Sequence, residues 1–119
     1  MRFISQVRAD RDTEAGVLPT KQLLAAMGRF NEEMIAAGIL LAGEGLQPSS
    51  KGVRISFAGA KPSVIEPPFA EPNELIAGFW MIEIESKEAA IDWAMRAPFD
   101  NGAIEIRQVF AAADFPPAT

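Results

Sequence analysis

The chain has 119 residues, 49% of them apolar and 23% charged, and 11 basic against 16 acidic residues give a formal charge of −5. This composition is typical of one globular domain, and the negative charge argues against nucleic acid and anionic membranes as partners. Cysteine, histidine and tyrosine are absent, which excludes disulfides, thiolate nucleophiles, a Ser-His-Asp relay and imidazole or thiolate metal sites.

The first half of the chain predicts a strand, a helix and a second strand. Residues 2–8 form the first strand, in which Phe3 and Ile4 point to opposite faces. The helix is indicated by apolar residues at helical spacing, namely Leu23, Met27, Phe30 and Met34. Gly38 falls where a left-handed cap would end this helix. The continuous apolar run 39–42 predicts a short strand that is buried on both faces.

A hairpin and a long connection are predicted next. Residues 53–57 alternate apolar and polar side chains, and after a turn they pair with the short segment 63–65. Residues 66–77 are rich in proline and exceed the usual connection of about 2–6 residues. This connection is therefore the first region in which to look for function.

The last third predicts a strand, a helix, a strand and a tail. Alternation over 79–84 gives the clearest strand of the chain. Ser86 is suited to cap a second helix, which Pro98 would stop. A final strand over 104–110 leads into a C-terminal tail at 111–119.

This element order predicts the fold class. Two β-α-β units with right-handed crossovers place both helices on one face of an antiparallel sheet. We therefore expect a single α+β domain over residues 1–119, with a ferredoxin-like βαββαβ sandwich and an extra hairpin. The uncovered sheet face would still carry apolar side chains whichever set faces the helices, because Ile4, Phe79, Met81 and Val109 lie opposite the set of Phe3, Trp80, Ile82, Ile84 and Ile106. A homodimer through that face would bury them.

Several segments also follow a family pattern. They are the segments 43–49 (GEGLQPS), 68–71 (PFAE), 78–80 (GFW) and 86–90 (SKEAA). With these segments the chain resembles the YCII-related proteins, specifically their DGPF branch, over nearly its whole length. The resemblance implies a dimeric α+β barrel with a cleft between the sheet and the motif loop. It also implies a setting beside extracytoplasmic-function sigma factors, since members of this branch are often encoded next to them.

Two features depart from the family pattern. The eponymous Asp-Gly-Pro-Phe is replaced by Glu66, Pro67, Pro68 and Phe69, which keeps a carboxylate but exchanges a flexible glycine for a rigid proline. Better-understood relatives are thought to use a His-Asp pair, which a chain without histidine cannot form. The resemblance therefore indicates a fold and a pocket location rather than a mechanism.

Two carboxylates are the candidate catalytic groups, because a general acid or base must here be a carboxylate, a lysine or bound water. Glu44 lies between two glycines, where the backbone can approach a ligand closely. Its alternative role is a turn carboxylate that caps nearby amides. Glu66, Glu71 and Glu74 share one loop, where they form either an acid/base set or an ordinary solvated loop. Their spacing does not match a metal motif, and we expect no metal and no cofactor.

Five residues are candidates for substrate binding. They are Arg54, Pro68, Phe69, Glu71 and Trp80. Arg54 could clamp an anion, pair with Glu44, or simply be an exposed strand arginine. Pro68 and Phe69 would form either a pocket wall or a plug over the end of the barrel. Trp80 is either a ligand contact or a core aromatic.

The leading functional hypothesis is a cytoplasmic domain that binds a small molecule in a cleft beside the sheet. Carboxylate-dependent hydrolase or lyase chemistry is one form of this hypothesis. The alternative is a non-catalytic regulatory interaction protein associated with sigma-factor signalling. No apolar run in the sequence is long enough to span a membrane.

Overall fold

A computed structural model describes residues 1–59, 61–69 and 74–117 of the chain. The main-sheet strands are β1 (Arg2–Arg8), β2 (Leu40–Gly45), β5 (Ile76–Glu83) and β6 (Ile104–Gln108); β3 (Arg54–Ser56) and β4 (Ser63–Ile65) form a separate hairpin. The main sheet is antiparallel, with its strands in the spatial order β2-β5-β1-β6. This arrangement confirms the predicted ferredoxin-like α+β fold with an extra hairpin.

Three α-helices accompany the strands, and one of them was not predicted. They are α1 (Arg11–Glu14), α2 (Lys21–Ala36) and α3 (Lys87–Ala94), and short 3-10 helices occupy Ser49–Lys51 and Ala112–Asp114. The single turn α1 forms because Asp10 and Thr13 make a reciprocal capping box. None of the helices in the described ranges has the length and hydropathy needed to cross a membrane.

Helix α2 begins and ends where its sequence signals place it. The Thr20 side chain accepts a hydrogen bond from the Leu23 amide and caps the first turn. Gly38 has φ +74°, the left-handed conformation predicted after the helix, and the Ile39 amide donates back to the Met34 carbonyl. The chain therefore reverses directly into β2.

Both helices pack on the same face of the sheet. Phe30 and Met34 of α2 and Ala90 of α3 are buried in one cluster with strand residues. The strand members of that cluster are Phe3, Trp80, Ile82 and Ile84. We call this side of the sheet the helix-covered face and the other side the open face.

Two predicted elements differ from the observed ones. β2 runs to Gly45 and lies at the edge of the sheet, so the prediction that it is buried on both faces was wrong, and Leu41 is 54% exposed. Helix α3 ends at Ala94 rather than near Pro98. The backbone leaves the helix early and forms a connection over residues 95–103.

The hairpin confirms the predicted pairing but stands apart from the body. Ile55 lies opposite Val64, and Arg54 lies opposite Ile65. Every residue of β3 and β4 except Ser56 is exposed. The Cα radius of gyration is 16.7 Å, whereas a compact domain of this length has about 13.5 Å. We call β3 and β4, with the adjoining Val53 and Phe57, the hairpin arm.

Candidate functional site

Trp80 is held in the core on the helix-covered face. Its side chain is 6% exposed, and its indole Nε1–H donates to Asn31 Oδ1 at 2.8 Å. The ring packs edge-to-face on Phe30 with centroids 5.3 Å apart, and Phe99 lies 6.1 Å away. A buried indole whose N–H is satisfied by a neighbouring helix is typical of a structural aromatic.

Gly43 explains why the indole fits beneath β2. Gly43 lies opposite Trp80 in the β2–β5 pairing. A Cβ atom at Gly43 would lie 2.8 Å from Trp80 Cδ1, which is closer than real Cβ contacts. The first glycine of the family-like segment thus makes room for the core tryptophan.

Glu44 lies on the open face. It pairs with Phe79, one residue along from the Gly43–Trp80 pair, and successive strand residues point to opposite faces. Its side chain is exposed. The structure therefore separates Glu44 from Trp80 by the thickness of the sheet and does not bring these two candidates to one surface.

A carboxylate that the sequence analysis missed anchors the loop after Glu44. Glu14 of α1 accepts hydrogen bonds from the Ser49 amide at 3.0 Å and from the Ser49 hydroxyl. The two residues are part-buried and lie 35 positions apart in the chain. The only sequence signal for this contact is the capping pattern of α1. That pattern does not indicate which distant residue Glu14 contacts.

Arg54 and Phe69 form a second unit at the base of the arm. The Arg54 guanidinium lies over the Phe69 ring, 4.4 Å from its centroid. Such cation–π contacts at exposed sites contribute about 0.5–1 kcal/mol. Phe69 is half-buried and follows the cis peptide between Pro67 and Pro68. The two binding candidates are therefore brought together.

The remaining loop candidates are spread along the surface. Glu66, Pro68 and Glu74 are exposed, and Glu71 lies outside the described residues. Within the ranges that the structure describes, no three acidic side chains cluster closely enough to hold a metal ion.

A large cavity lies elsewhere, at one end of the helix-covered face. It is an open cleft of about 960 Å³ between the start of α2, the end of α3 and the connection over residues 95–103. We call it the end cleft. Its apolar lining includes Val7, Leu23, Ile91, Ile104 and Ile106, and its polar lining includes Arg8, Asp10, Thr13, Thr20, Asp100 and Asn101. None of the described candidate site residues lines this cleft.

Local hydrogen bonds build the rim of the end cleft. The side chains of Asp10 and Thr20 cap α1 and α2, respectively. Arg8 Nη1 lies 3.8 Å from Glu105 Oε1, so the two side chains form an ion pair. The Arg8 amide donates to the Ala103 carbonyl, which ties the connection to β1. Asp100 is the exposed carboxylate at the mouth.

The sequence signals for this cleft were present but pointed to a turn. Pro98 and the pair Asn101-Gly102 indicate a break between a helix and a strand. What they do not indicate is that α3 stops four residues before Pro98, which leaves Ile91 and Met95 facing a hollow. Phe99 lines the end cleft and also contacts the core, because the centroid of its ring lies 6.1 Å from that of Trp80.

Fold and cavity together define an α+β sandwich with a cleft at the end of its helix-covered face. The family model that matches the chain is the YCII-related domain, over residues 1–113. The chain belongs to this family, as its motif segments predict. No curated protein matches the chain.

Among solved structures, the chain is similar to 5-chloro-2-hydroxyhydroquinone dehydrochlorinase from Burkholderia phenoliruptrix AC1100 in complex with 2,5-dihydroxybenzoquinone. The sequence identity is 13%, the TM-score is 0.46, and the alignment covers 96% of this chain and 98% of the other.

Proposed function

We propose that this YCII-related domain binds a small amphipathic molecule in the end cleft. The observation that carries the proposal is the cleft itself, a hollow of about 960 Å³ with an apolar floor and a polar rim. Ligand sites are concave, mainly apolar and provided with a few polar groups that orient the ligand. Leu23 and Ile106 supply the floor, and Asp100 and Asn101 supply hydrogen-bonding groups.

The charges of the end cleft favour a neutral or cationic ligand. Asp10 and Asp100 line the cleft, and the one basic residue in its lining, Arg8, forms an ion pair with Glu105. The whole chain also carries a formal charge of −5. An anionic ligand would therefore meet an unfavourable field.

Three aromatic probes of similar size and different charge test this proposal. We expect benzylamine and phenol to shift the backbone amide resonances of residues 20–23 and 101–104, and benzoate to shift them less. Two-dimensional ¹H–¹⁵N spectra recorded during titration measure the effect. Equal shifts from all three probes would remove the charge preference, and no shifts at these residues would remove the site.

A matched pair of isoleucine variants supplies the control. Ile91 is 37% exposed and lines the cleft, whereas Ile35 is 62% exposed on α2 and does not. Ile91→Trp should project an indole ring into the cleft and weaken probe binding at least tenfold. Ile35→Trp adds the same side chain elsewhere and should leave probe binding unchanged.

The open face supports a homodimer as the assembly that carries this function. Its apolar residues are Ile4, Phe79, Met81 and Val109, and all four remain partly exposed in the single chain. Arg2 and Arg107 lie on the same face, as do Glu44, Glu83 and Glu105. A face with charges of both signs can pair with its own copy.

Light scattering after size exclusion tests the dimer. We expect a mass of twice 12.8 kDa at micromolar concentration. Met81→Asp should shift the protein to the monomer, because it would place a charge at the centre of the interface. Ile35→Asp is the control on the outer side of α2. A monomeric wild-type protein would contradict the dimer without affecting the probe titration.

Carboxylate-dependent hydrolase or lyase chemistry at Glu44 and Glu66 stays a prediction. Both side chains are exposed, and neither lines the end cleft. A ligand-dependent reaction that is lost in Glu44→Gln or Glu66→Gln, with probe binding retained, would support it. If both variants keep every activity of the wild type, the regulatory interaction protein is the better hypothesis.

A further inference from the structure

The connection over residues 95–103 carries the pair Asn101-Gly102 at the mouth of the end cleft. The chain has three asparagines, and glycine follows only Asn101, whereas glutamate follows Asn31 and Asn73. Both Asn101 and Gly102 are exposed, and both line the cleft. The pair therefore places a solvent-exposed side-chain amide next to a residue that has no side chain.

The backbone of this pair is held on one side and lies in the open on the other. The Ala103 carbonyl accepts a hydrogen bond from the Arg8 amide, which fixes the end of the connection to β1. Residues 100–102 belong to neither a helix nor a strand. Within the part of the chain that the structure describes, the Gly102 amide donates no backbone hydrogen bond. The Gly102 nitrogen is therefore not engaged in the regular structure around it.

Gly102 also leaves its own nitrogen unshielded. Its φ is +90°, a left-handed conformation that glycine adopts readily. A Cβ atom built at this position would meet no heavy atom within 4 Å. The space beside this nitrogen is open, and the Asn101 side chain precedes it directly in the chain.

We propose that Asn101 deamidates spontaneously and that the carboxylate so formed shifts the end cleft further towards cationic ligands. The Gly102 nitrogen loses its proton to a base in the solvent and attacks Asn101 Cγ, which closes a succinimide ring. The bond between Cγ and Nδ2 breaks, and ammonia leaves with a proton from water. Water then opens the ring at either carbonyl and gives aspartate or isoaspartate. The net reaction consumes one water, releases ammonium and oxidises nothing.

The new carboxylate changes the charge at the mouth of the cleft. It follows Asp100 in the cleft lining and adds one negative charge to a chain whose formal charge is −5. Arg8, the basic residue of the lining, already forms an ion pair with Glu105. Two neighbouring carboxylates attract a cation more strongly than one does. The effect on ligands rests on the proposed binding site, whereas the deamidation does not.

Peptide mapping by mass spectrometry tests the deamidation. Wild-type protein is incubated at one temperature in mildly alkaline and in mildly acidic buffer. We expect conversion of Asn101, and faster conversion in the alkaline buffer, because the reaction begins with the loss of a proton. Asn31 is the internal control, since its side chain accepts a hydrogen bond from the Trp80 indole and glutamate follows it. Conversion of Asn101 no faster than that of Asn31 would overturn the proposal and leave the end cleft unaffected.

Titration with the charged probes tests the effect on ligands. We expect aged wild-type protein and Asn101→Asp to bind benzylamine about threefold more tightly than fresh wild-type protein at low salt, and to bind benzoate more weakly. Asn101→Gln, which would have to close a larger ring, should show no change between fresh and aged samples. Gln47→Glu adds the same charge at an exposed position outside the cleft lining and should leave both affinities unchanged.

The outcomes of the titration distinguish this proposal from the ligand site itself. Equal binding of benzylamine to the fresh and the deamidated protein would overturn the charge shift and leave the site in place. Equal tightening by Gln47→Glu would also overturn it, because the cause would then be the net charge of the chain. If neither form binds any of the three aromatic probes, the ligand site and the charge shift are both wrong.

Discussion

The two faces of the main sheet come from the same strands but have different chemical character. On the helix-covered face, Phe3 and Ile82 lie opposite each other and are 1% and 2% exposed. On the open face, the neighbouring pair of Ile4 and Met81 is partly exposed. Alternation along a strand thus sends one apolar set into the core and leaves a second set at the surface.

The two faces should contribute to different properties: the helix-covered face to folding stability and the open face to association. The first set is buried by α2 and α3 within one chain, so its contribution to the free energy of folding does not depend on a partner. The second set, together with the hairpin arm, gains little until another surface covers it. A mutation on the helix-covered face should therefore change the free energy of unfolding, whereas a mutation on the open face or in the hairpin arm should change assembly.

Ile82→Ala should have the largest effect and gives the sharpest test of this contrast. Removing a fully buried isoleucine side chain costs about 2–5 kcal/mol of unfolding free energy. Met81→Ala, one residue earlier on the open face, should cost less than about 1 kcal/mol in dilute, monomeric protein. Urea denaturation followed by circular dichroism measures both. Comparable losses in the two variants would mean that the faces do not differ as we describe.

Gly43→Ala should have the next largest effect, because its Cβ would meet the indole of Trp80 at 2.8 Å. Overpacking of this kind costs about 1–3 kcal/mol. The displaced ring should also shift the tryptophan emission to longer wavelength. Gly28→Ala is the matched control, since its Cβ meets nothing within 4 Å and it lies in the exposed interior of α2. That control should stabilise the protein by about 0.5–1 kcal/mol, and destabilisation by both alanines would contradict the steric argument.

The order of elements and the helix-covered face could be predicted because their signals are local and periodic. Leu23, Met27, Phe30 and Met34 recur at helical spacing, and the structure places α2 over them. The right-handed crossover rule then placed both helices on one common side of the sheet. The family resemblance agreed with the same plan, and the match to the YCII-related domain confirms it.

The candidate site was harder to predict, because it depends on which strand face a residue occupies and on where a helix stops. Glu44 and Trp80 looked like members of one pocket, but the offset of one residue in the β2–β5 pairing puts them on opposite faces. The end cleft exists because α3 ends at Ala94, and helix ends are set by tertiary contacts as much as by sequence. Arg54 and Phe69 lie 15 positions apart, and no periodicity could have paired them.

The smallest effects are expected for two arginines that stack on aromatic rings, Arg96 in the body and Arg54 in the hairpin arm. Arg96 lies 4.0 Å over the Trp93 ring and forms a 2.7 Å ion pair with Glu33. Arg54 stacks on Phe69 and forms no ion pair within the described residues. Arg96→Met should lower the unfolding free energy by about 0.5–1 kcal/mol, a modest value because the pair is more than half exposed.

Arg54→Met should leave global unfolding unchanged within about 0.3 kcal/mol, because the arm adds little to the cooperative core. Its effect should instead be local, with faster amide hydrogen exchange in β3 and β4 measured by mass spectrometry. If the global loss for Arg54→Met equalled that for Arg96→Met, the arm would be part of the same cooperative unit as the body.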